Sequence, residues 1–322
     1  MNLSSTHVFL FLLRQREAFF MYRSLFYSEL STLVKRLSHN YDQYPQIQDK
    51  LKNVEVGDYG EKYVTNLLKN TFGHQLIVLS DISIGSSQAD CLVITPYFCA
   101  VLEVKNVKGN ITFTQQPKQM LREIEGKTDI FQSPEVQLER LEIELNRLFQ
   151  QHRIQLPIFS AITFPFHTSI IQNESKQYPI LIGKEVLNYV YLLPRPRAFA
   201  DPLKVEAIIQ KQSNLWQRFP LCEHYKVDPR FIKTGVECRA CGTLPMIRVN
   251  RTWKCTTCGV TDQTAHVQAL RDYYMLINKY ITTQQAMHFL HLRNRYEAIR
   301  ILKSVSIQRI GQTKSSKYEL TL

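Results

Sequence analysis

The sequence lacks any apolar run long enough to cross a lipid bilayer. Its most apolar N-terminal stretch covers residues 8–13, whereas a membrane-spanning helix needs about 20 apolar residues. No basic segment precedes this stretch and no small-residue cleavage site follows it, so the sequence predicts neither a membrane anchor nor an export signal. Internal repeats and long low-complexity tracts are also absent, which excludes a repeat architecture.

The sequence also lacks the dense and even cysteine framework of a small secreted domain. Of its 7 cysteines, Cys91, Cys99 and Cys222 are scattered. Cys91 and Cys99 fall inside apolar segments and are predicted to be small core residues. This usage of cysteine is typical of a reducing compartment, and we expect a cytoplasmic protein.

What is present is a large apolar content and an excess of positive charge. With 322 residues and 44% hydrophobic residues, the chain is long enough for two or three structural units. Lys and Arg total 40 and Asp and Glu total 28, which gives a net charge of +12. Such a balance favours an acidic partner, most often nucleic acid, although many basic proteins bind none.

The apolar pattern predicts an α/β protein with a mixed sheet flanked by helices. We expect a helical segment over 1–52, an α/β domain over 53–170, a connector with one helix over 171–235, a cysteine module over 236–262 and a C-terminal domain over 263–322. In the α/β domain, helices are predicted over 61–70 and 134–151, and strands over 75–79, 89–95, 98–104, 111–114 and 158–164. The connector helix is predicted over 202–216.

The strands over 89–104 form a predicted hairpin with unexpected charges at one end. Both of its faces are apolar, so we expect helices to cover both sides. If the hairpin centres on Pro96 and Tyr97, paired residue numbers sum to 193, and Asp90 lies opposite Glu103. Cross-strand partners have Cβ atoms roughly 4.5–5.5 Å apart, which lets two carboxylates share one cation. A four-residue loop keeps this pairing, whereas a bulge would shift it.

These charges have a coherent chemical interpretation. Two carboxylates suit Mg²⁺, which polarises phosphate and helps to generate hydroxide. Lys105 lies on the same face as Glu103 and can hold the attacking water or offset charge at phosphorus. Glu61, at the predicted helix start, can supply a third carboxylate or orient a metal-bound water. A surface salt bridge at a strand end is the alternative, and these residues alone leave both open.

Several separated motifs together resemble the nuclease-related domain (NERD) family of the PD-(D/E)xK restriction-endonuclease-like superfamily. They are Gly57-x-x-Gly60-Glu61, Gln88-Ala89-Asp90, Glu103-Val104-Lys105-Asn106 with Gly109, and Ser133-Pro134-x-x-Gln137. The resemblance covers roughly residues 55–165, and Ser133 stands where the family often has Asn. It implies that Asp90 and Glu103 are metal ligands, that Lys105 is the catalytic lysine, and that Glu61, Gln88 and Gln137 support them. It implies nuclease machinery more firmly than a substrate.

Two C-x-x-C-G knuckles form the second motif. Thirteen residues separate the pairs, and this spacing predicts a structural Zn²⁺ site with four thiolate ligands, Cys238, Cys241, Cys255 and Cys258. A redox pair or a disulfide is the alternative. The residues between the knuckles predict a small hairpin in which Arg248, Arg251 and Lys254, with Trp253 between them, can contact nucleic acid. Packing of Trp253 over the knuckles is the interpretation we favour.

The C-terminal segment carries half of the chain's excess charge. From residue 264 onward there are nine Lys or Arg and three Asp or Glu, hence +6. Three predicted helices and a hairpin resemble a winged helix-turn-helix, with the third helix at the major groove. The predicted phosphate contacts are Arg295, Arg300, Lys303, Lys314 and Lys317. A small structural domain with a solvated basic face is the alternative.

Taken together, the sequence predicts an Mg²⁺-dependent nuclease that acts on DNA and is targeted by its zinc ribbon and basic C-terminal domain. The completeness of the set Glu61, Asp90, Glu103 and Lys105 favours an enzyme. One alternative is a non-catalytic nucleic-acid-binding or regulatory protein that uses a nuclease-like scaffold. Another is a protein-interaction module in which the zinc ribbon binds a partner.

Overall fold

The computed structural model describes residues 27, 29–173, 175, 177–195, 197–213, 220–311 and 316–320. It divides the chain into two compact units. We call Asn53–Trp216 the sheet unit, and Met1–Lys52 with Gln217–Leu322 the ribbon unit. Within the described residues, no helix has both the length and the apolar character to cross a membrane.

Helix α1 covers residues 29–36, and helix α2 is a single continuous helix, Tyr44–Phe72. The prediction that a new helix opens near Glu61 is therefore wrong, because Gly57 and Gly60 lie inside α2. A glycine costs a helix interior only about 0.5–1 kcal/mol relative to alanine. Farther along the same helix, Val64 and Leu68 are buried against apolar side chains of the main sheet, and this burial offsets the cost.

The main sheet of the sheet unit has five strands in the order β1-β2-β3-β7-β9. The first three strands are antiparallel, whereas β3, β7 and β9 run parallel. Their bounds are β1 Ile77–Ile84, β2 Ser87–Ile94, β3 Cys99–Val104, β7 Ile158–Phe164 and β9 Ile180–Ile182. The predicted strand over 158–164 is confirmed, and the others shift by a few residues at their ends.

The hairpin of β2 and β3 has the register that the sequence predicted. Cys91 pairs with Leu102 and Ile94 with Cys99, so paired numbers sum to 193. The four-residue loop between them is closed by Thr95, whose Oγ1 accepts hydrogen bonds from two backbone N–H groups of the loop. All of β3 is buried. Helix α2 packs on one face and helix α3, Pro134–Gln151, on the other, as the two apolar faces predicted.

A second sheet in this unit has the order β6-β5-β4-β8. Its strands are β4 Gly109–Gln115, β5 Lys118–Ile124, β6 Lys127–Gln132 and β8 Ser169–Asn173. The sequence analysis missed β5 and β6, because their residues are mostly polar and only half-buried. Helices α4, Glu185–Leu192, and α5, Pro202–Gln212, complete the unit with β9, within the segment interpreted as a connector.

The ribbon unit combines α1 with the cysteine module and the C-terminal segment. The module contains β10 Ile247–Val249, β11 Thr252–Lys254 and β12 Thr261–Asp262; helix α6, Leu221–His224, precedes it. The C-terminal segment contains α7 Ala265–Leu276, β13 Tyr280–Thr282, α8 Thr283–Leu290, α9 Arg295–Val305, β14 Ser306–Ile310 and β15 Lys317–Leu320. Its three strands pair in the order β13-β15-β14, and β13 was not predicted.

A buried ion pair joins α1 to α7 inside the ribbon unit. The Nε of Arg36 donates to Oδ2 of Asp272 at 2.7 Å, and both side chains are almost fully buried. Gln268 donates to the other carboxylate oxygen of Asp272 at 2.9 Å. The N-terminal helix is thus part of the same packed core as the C-terminal segment.

Candidate active site and zinc centre

Asp90 and Glu103 lie at one end of the β2–β3 hairpin. The pair that ends the ladder is Cys91 with Leu102, so the next position along places Asp90 opposite Glu103. The backbone N–H of Val104 donates to Oδ2 of Asp90 at 2.9 Å, which fixes that carboxylate at the end of β3. Glu103 is only 3% exposed. The two carboxylates are therefore held on rigid, neighbouring strands.

Lys105 follows β3 directly and is held from two sides. Its Nζ donates to Oε1 of Glu103 at 2.6 Å and to Oε1 of Gln137 at 2.8 Å. Gln137 lies in the first turn of α3, where Oγ of Ser133 accepts a hydrogen bond from the N–H of Glu135 at 3.2 Å. The serine thus supplies the N-cap of α3. This arrangement positions the ammonium beside the acidic pair.

Glu61 lies on α2 directly after Gly60 and is 5% exposed. Among the described residues, its carboxylate does not join Asp90 and Glu103 in a three-carboxylate group with oxygens within 4.8 Å of one another. Gly60 beside it lies against the chain after β3, because a Cβ at this position would be 2.6 Å from Cβ of Asn106. The glycine thus lets α2 approach the segment that follows Lys105.

Gly60→Ala is expected to destabilise the protein by about 1–3 kcal/mol, the usual cost of overpacking, and to displace α2 from the Lys105 segment. Gly57→Ala is the matched control on the same helix, since the nearest atom to its added Cβ is Oε1 of Glu61 at 4.0 Å. We expect Gly57→Ala to be stabilising by about 0.5–1 kcal/mol. Urea unfolding of both variants checks this, and equal effects of the two substitutions would refute the close approach at Gly60.

Asp81 is a residue of this region that the sequence analysis missed. Ser80 pairs with Cys91 and Ile82 with Ala89, so Asp81 falls opposite Asp90 on β1. Its backbone has a left-handed φ of 56°. Gln88, which is exposed, donates its side-chain amide to Oδ1 of Asp81. The sequence signal for this pairing is Gly85, which lies in the turn between β1 and β2. A hairpin centred on this turn has the register that places Asp81 opposite Asp90.

The carboxylates at this sheet end offer the type of oxygen ligand that a hard divalent cation takes. Oδ1 of Asp90 accepts no hydrogen bond from any residue in the described part of the chain. Mg²⁺ keeps several waters and needs only one or two carboxylates, which Asp90 and Glu103 can supply. The neighbouring thiol does not compete, because burial raises the pKa of Cys91 to about 12. Cys91 and Cys99 are buried in the sheet, as predicted.

The four knuckle cysteines form a compact sulfur cluster. Their Sγ atoms all lie within 4.8 Å of one another, with 3.6 Å between Cys238 and Cys258 and 3.5 Å between Cys241 and Cys255. Tetrahedral Zn²⁺ with Zn–S bonds of about 2.3 Å requires a sulfur separation of about 3.8 Å. All four are free thiols, so no disulfide competes with a metal here. The cluster fits a zinc ribbon.

Both knuckles have the same backbone geometry. The glycine after each pair, Gly242 or Gly259, has a left-handed φ of 74° and donates to the first cysteine's carbonyl oxygen. In the second knuckle, backbone N–H groups of Cys258 and Thr257 donate to Sγ of Cys255 and lower the pKa of its thiol to about 6. A thiolate is the form that binds metal, so these backbone donors favour Cys255 as a ligand.

The ribbon side chains considered for nucleic-acid contact divide into two groups. Trp253 is fully buried, and its Nε1 donates to Nδ1 of His266 at 3.1 Å, so it packs internally, as the favoured interpretation had it. Burial lowers the pKa of His266, which keeps its ring neutral and able to accept this bond. Arg248 stacks on Trp253 and donates to Oε1 of Glu297 at 2.9 Å, so it too serves the interior. Arg251 and Lys254 remain exposed.

Four of the five basic residues predicted to contact phosphate are described, and they lie on α9 and β15. Arg295, Lys303 and Lys317 are exposed. Arg300 is half-exposed and donates to Glu297 at 3.4 Å, on the carboxylate that also binds Arg248. Lys314 lies outside the described residues. Arg295, Lys303 and Lys317 are therefore accessible to solvent on the C-terminal segment.

Comparison with protein families gives one match. Residues 56–165 match the family model described as NERD, nuclease-related domain. The matched segment includes the candidate residues on α2, β2, β3 and α3, and covers about a third of the chain. Comparisons with curated proteins and with solved structures give no match. The family resemblance that the motifs indicated is therefore confirmed for this segment.

Proposed function

We propose that this protein, whose residues 56–165 form a nuclease-related domain, is an Mg²⁺-dependent nuclease that hydrolyses phosphodiester bonds of DNA. The observation that carries the proposal is the arrangement at the end of β3. There Asp90 lies opposite Glu103, and Lys105 is held beside them by Gln137. A simple surface salt bridge would not need a buried carboxylate or a helix-borne amide to hold the lysine.

Each residue has an assigned role in this proposal. Asp90 and Glu103 would hold Mg²⁺, which when bound polarises the phosphate and lowers the pKa of its water. Lys105 offers its ammonium to the charge that develops at phosphorus. Gln137 is a positioning residue, because its amide oxygen orients Nζ of Lys105.

Glu61 and Gln88 have supporting roles. We assign Glu61 to orienting a cation-bound water from its place on α2, and Gln88 to positioning Asp81 beside Asp90. Both are held on regular secondary structure, which suits a site that must keep its geometry.

A cleavage assay on several substrates tests the proposed function. Full-length protein is incubated with single-stranded, duplex and branched DNA, and with RNA, in buffer with or without Mg²⁺. Omission of Mg²⁺ is preferable to EDTA, because a chelator would also remove zinc from the ribbon. We expect cleavage of DNA only with Mg²⁺, and none by Asp90→Ala. Binding of DNA without any cleavage would instead favour a non-catalytic nucleic-acid-binding protein.

We further propose that the C-terminal segment helps to hold DNA. Its elements follow the order helix, strand, helix, helix, strand, strand, with β13 and β14 on either side of β15. This is the order of a winged helix, in which the third helix enters the major groove. Here that helix is α9, which carries the exposed Arg295 and Lys303.

Arg295→Ala and Lys303→Ala are each expected to weaken DNA binding and to reduce the slope of log affinity against log salt by about 0.9. The reason is that each phosphate contact releases one condensed counterion. Arg230→Ala is the control, since Arg230 is an exposed cation of the same unit but lies outside the C-terminal segment. Fluorescence anisotropy over a salt series measures the slopes. An unchanged slope in both test variants would remove α9 from the interface.

A further inference from the structure

Three aromatic side chains form a cluster on the surface of the sheet unit. Tyr59 and Tyr63 lie one turn apart on α2, and Phe166 follows shortly after β7. The rings of Tyr59 and Phe166 are stacked, with centroids 5.7 Å apart and planes inclined by 23°. Tyr63 packs against the same phenylalanine at 4.9 Å. Tyr59 is 64% exposed, so the stack ends on a ring that faces solvent.

This aromatic cluster lies beside the chain segment that carries Lys105. Gly60, next to Tyr59, packs against both Asn106 and Pro165. Asn106 directly follows Lys105, and Pro165 directly precedes Phe166. The amide of Asn106 also donates to the carbonyl oxygen of Val56 on α2 at 2.7 Å. The α2 segment that carries Tyr59 therefore contacts both the residue after Lys105 and the residue before Phe166.

A second contact joins the loops that carry Lys105 and Phe166. Oγ of Ser169 donates to the carbonyl oxygen of Val107 at 2.6 Å. Lys108, the next residue of that loop, is exposed, and so is about half of the Lys62 side chain on α2, where Lys62 forms an ion pair with Asp58. The exposed aromatic stack thus adjoins the chain that follows Lys105, and Lys108 of that chain is an exposed cation.

Exposed aromatic rings among cations are the means by which proteins bind single-stranded nucleic acid. Each base can stack on a ring, while the cations follow the phosphate backbone. A base within a duplex is already stacked on its neighbours and offers no free face to a tyrosine. The cluster therefore suits an unpaired base and does not suit the interior of a duplex.

We propose that Tyr59, supported by Phe166 and Tyr63, is a stacking platform for an unpaired base of the substrate, so that the preferred substrate is single-stranded or has an unpaired end. This inference rests on the proposed nuclease function, since it names the substrate of that site. It makes a separate claim, however, because stacking is a property of binding that exists without cleavage.

The test uses the full-length chain with Asp90→Ala, so that the probe is not cut. The probe is a single-stranded oligodeoxynucleotide that contains 2-aminopurine, a base whose fluorescence falls when it stacks. The same oligodeoxynucleotide in a blunt duplex is measured for comparison. Tyr59→Ala is expected to weaken single-strand binding about 5- to 150-fold, the effect of losing one stacked base, and to abolish the quenching. Duplex affinity should stay unchanged.

Two further variants distinguish stacking from a general effect of truncation. Tyr59→Phe keeps the ring and should retain both affinity and quenching. Tyr191→Ala removes a tyrosine on α4 that is also 64% exposed but lies outside the aromatic cluster, and it should bind like the parent. If Tyr59→Ala binds the single strand normally, or loses duplex and single strand equally, the platform is refuted.

The two proposals fail in different ways. Wild-type protein that cleaves DNA with Mg²⁺, together with a Tyr59→Ala variant that still binds and quenches the single strand, overturns the platform and leaves the nuclease. Loss of single-strand binding in Tyr59→Ala, with no cleavage by the wild type on any substrate, supports the platform and contradicts the nuclease.

Discussion

Lys105→Ala is expected to lower the rate of Mg²⁺-dependent DNA cleavage by about 10²- to 10³-fold, the usual effect of removing one group that stabilises developing charge. The large effect follows from the geometry, because Glu103 and Gln137 both hold the ammonium in place. Strand β3 itself, Cys99–Val104, carries no Lys or Arg that could replace it. Single-turnover cleavage measured on a labelled strand gives the rate.

A control is needed because Lys105 also partners a buried carboxylate. Removing it leaves Glu103 with less compensation for its charge, so the variant must be shown to be folded at the assay temperature. Lys118→Ala is the matched control, since Lys118 lies on β5 of the same unit and also pairs with a glutamate, Glu139. It should cleave like the wild type. Wild-type activity of a folded Lys105→Ala variant would exclude Lys105 from catalysis.

Cys255→Ser is expected to release zinc and to unfold the ribbon. Structural Zn²⁺ contributes roughly 10–16 kcal/mol to the folding of zinc-finger peptides, far more than a small hairpin can supply by itself. The clustered Sγ atoms and the backbone donors around Cys255 indicate that its thiolate is one of the four ligands. Atomic emission spectroscopy of the purified protein should show one zinc in the wild type and a loss in the variant.

Trp253 gives a second readout of the same event. Its ring is buried beside His266 and Arg248, so unfolding of the ribbon should move its fluorescence emission to longer wavelength. A Trp216→Phe background makes Trp253 the only tryptophan. Cys222→Ala is the control, because Cys222 is a buried cysteine outside the sulfur cluster and should leave the zinc in place. Absence of zinc from freshly prepared wild-type protein would contradict the assignment.

The parts of the fold that the sequence predicted are those fixed by local interactions. The β2–β3 register follows from a short loop and the alternation of apolar residues, which place Asp90 opposite Glu103. Helix α3 begins where Ser133 and a proline at the first helical position predict it. The knuckles follow from cysteine spacing alone. In each case, neighbouring residues in the chain determine the structure.

The parts that were missed depend on contacts between distant segments. The glycines of α2 predicted a helix start, but Gly60 is required by its contact with Asn106, more than forty residues away in sequence. Phe166 contacts the two tyrosines of α2, which lie more than one hundred residues away in sequence. Arg248 was a candidate for nucleic-acid contact, yet it stacks on Trp253 and pairs with Glu297 of α9. Pattern along the chain cannot reveal which surface another element will cover.

We propose that the end of β3 is a site for metal-dependent phosphodiester cleavage. The most direct measurement is the single-turnover rate of DNA cleavage by zinc-loaded, full-length protein as Mg²⁺ is titrated from zero. We predict no cleavage without Mg²⁺, a rate that rises to saturation, and loss of that rate in Asp90→Ala. Cleavage that is independent of Mg²⁺, or equal in the wild type and Asp90→Ala, would contradict it.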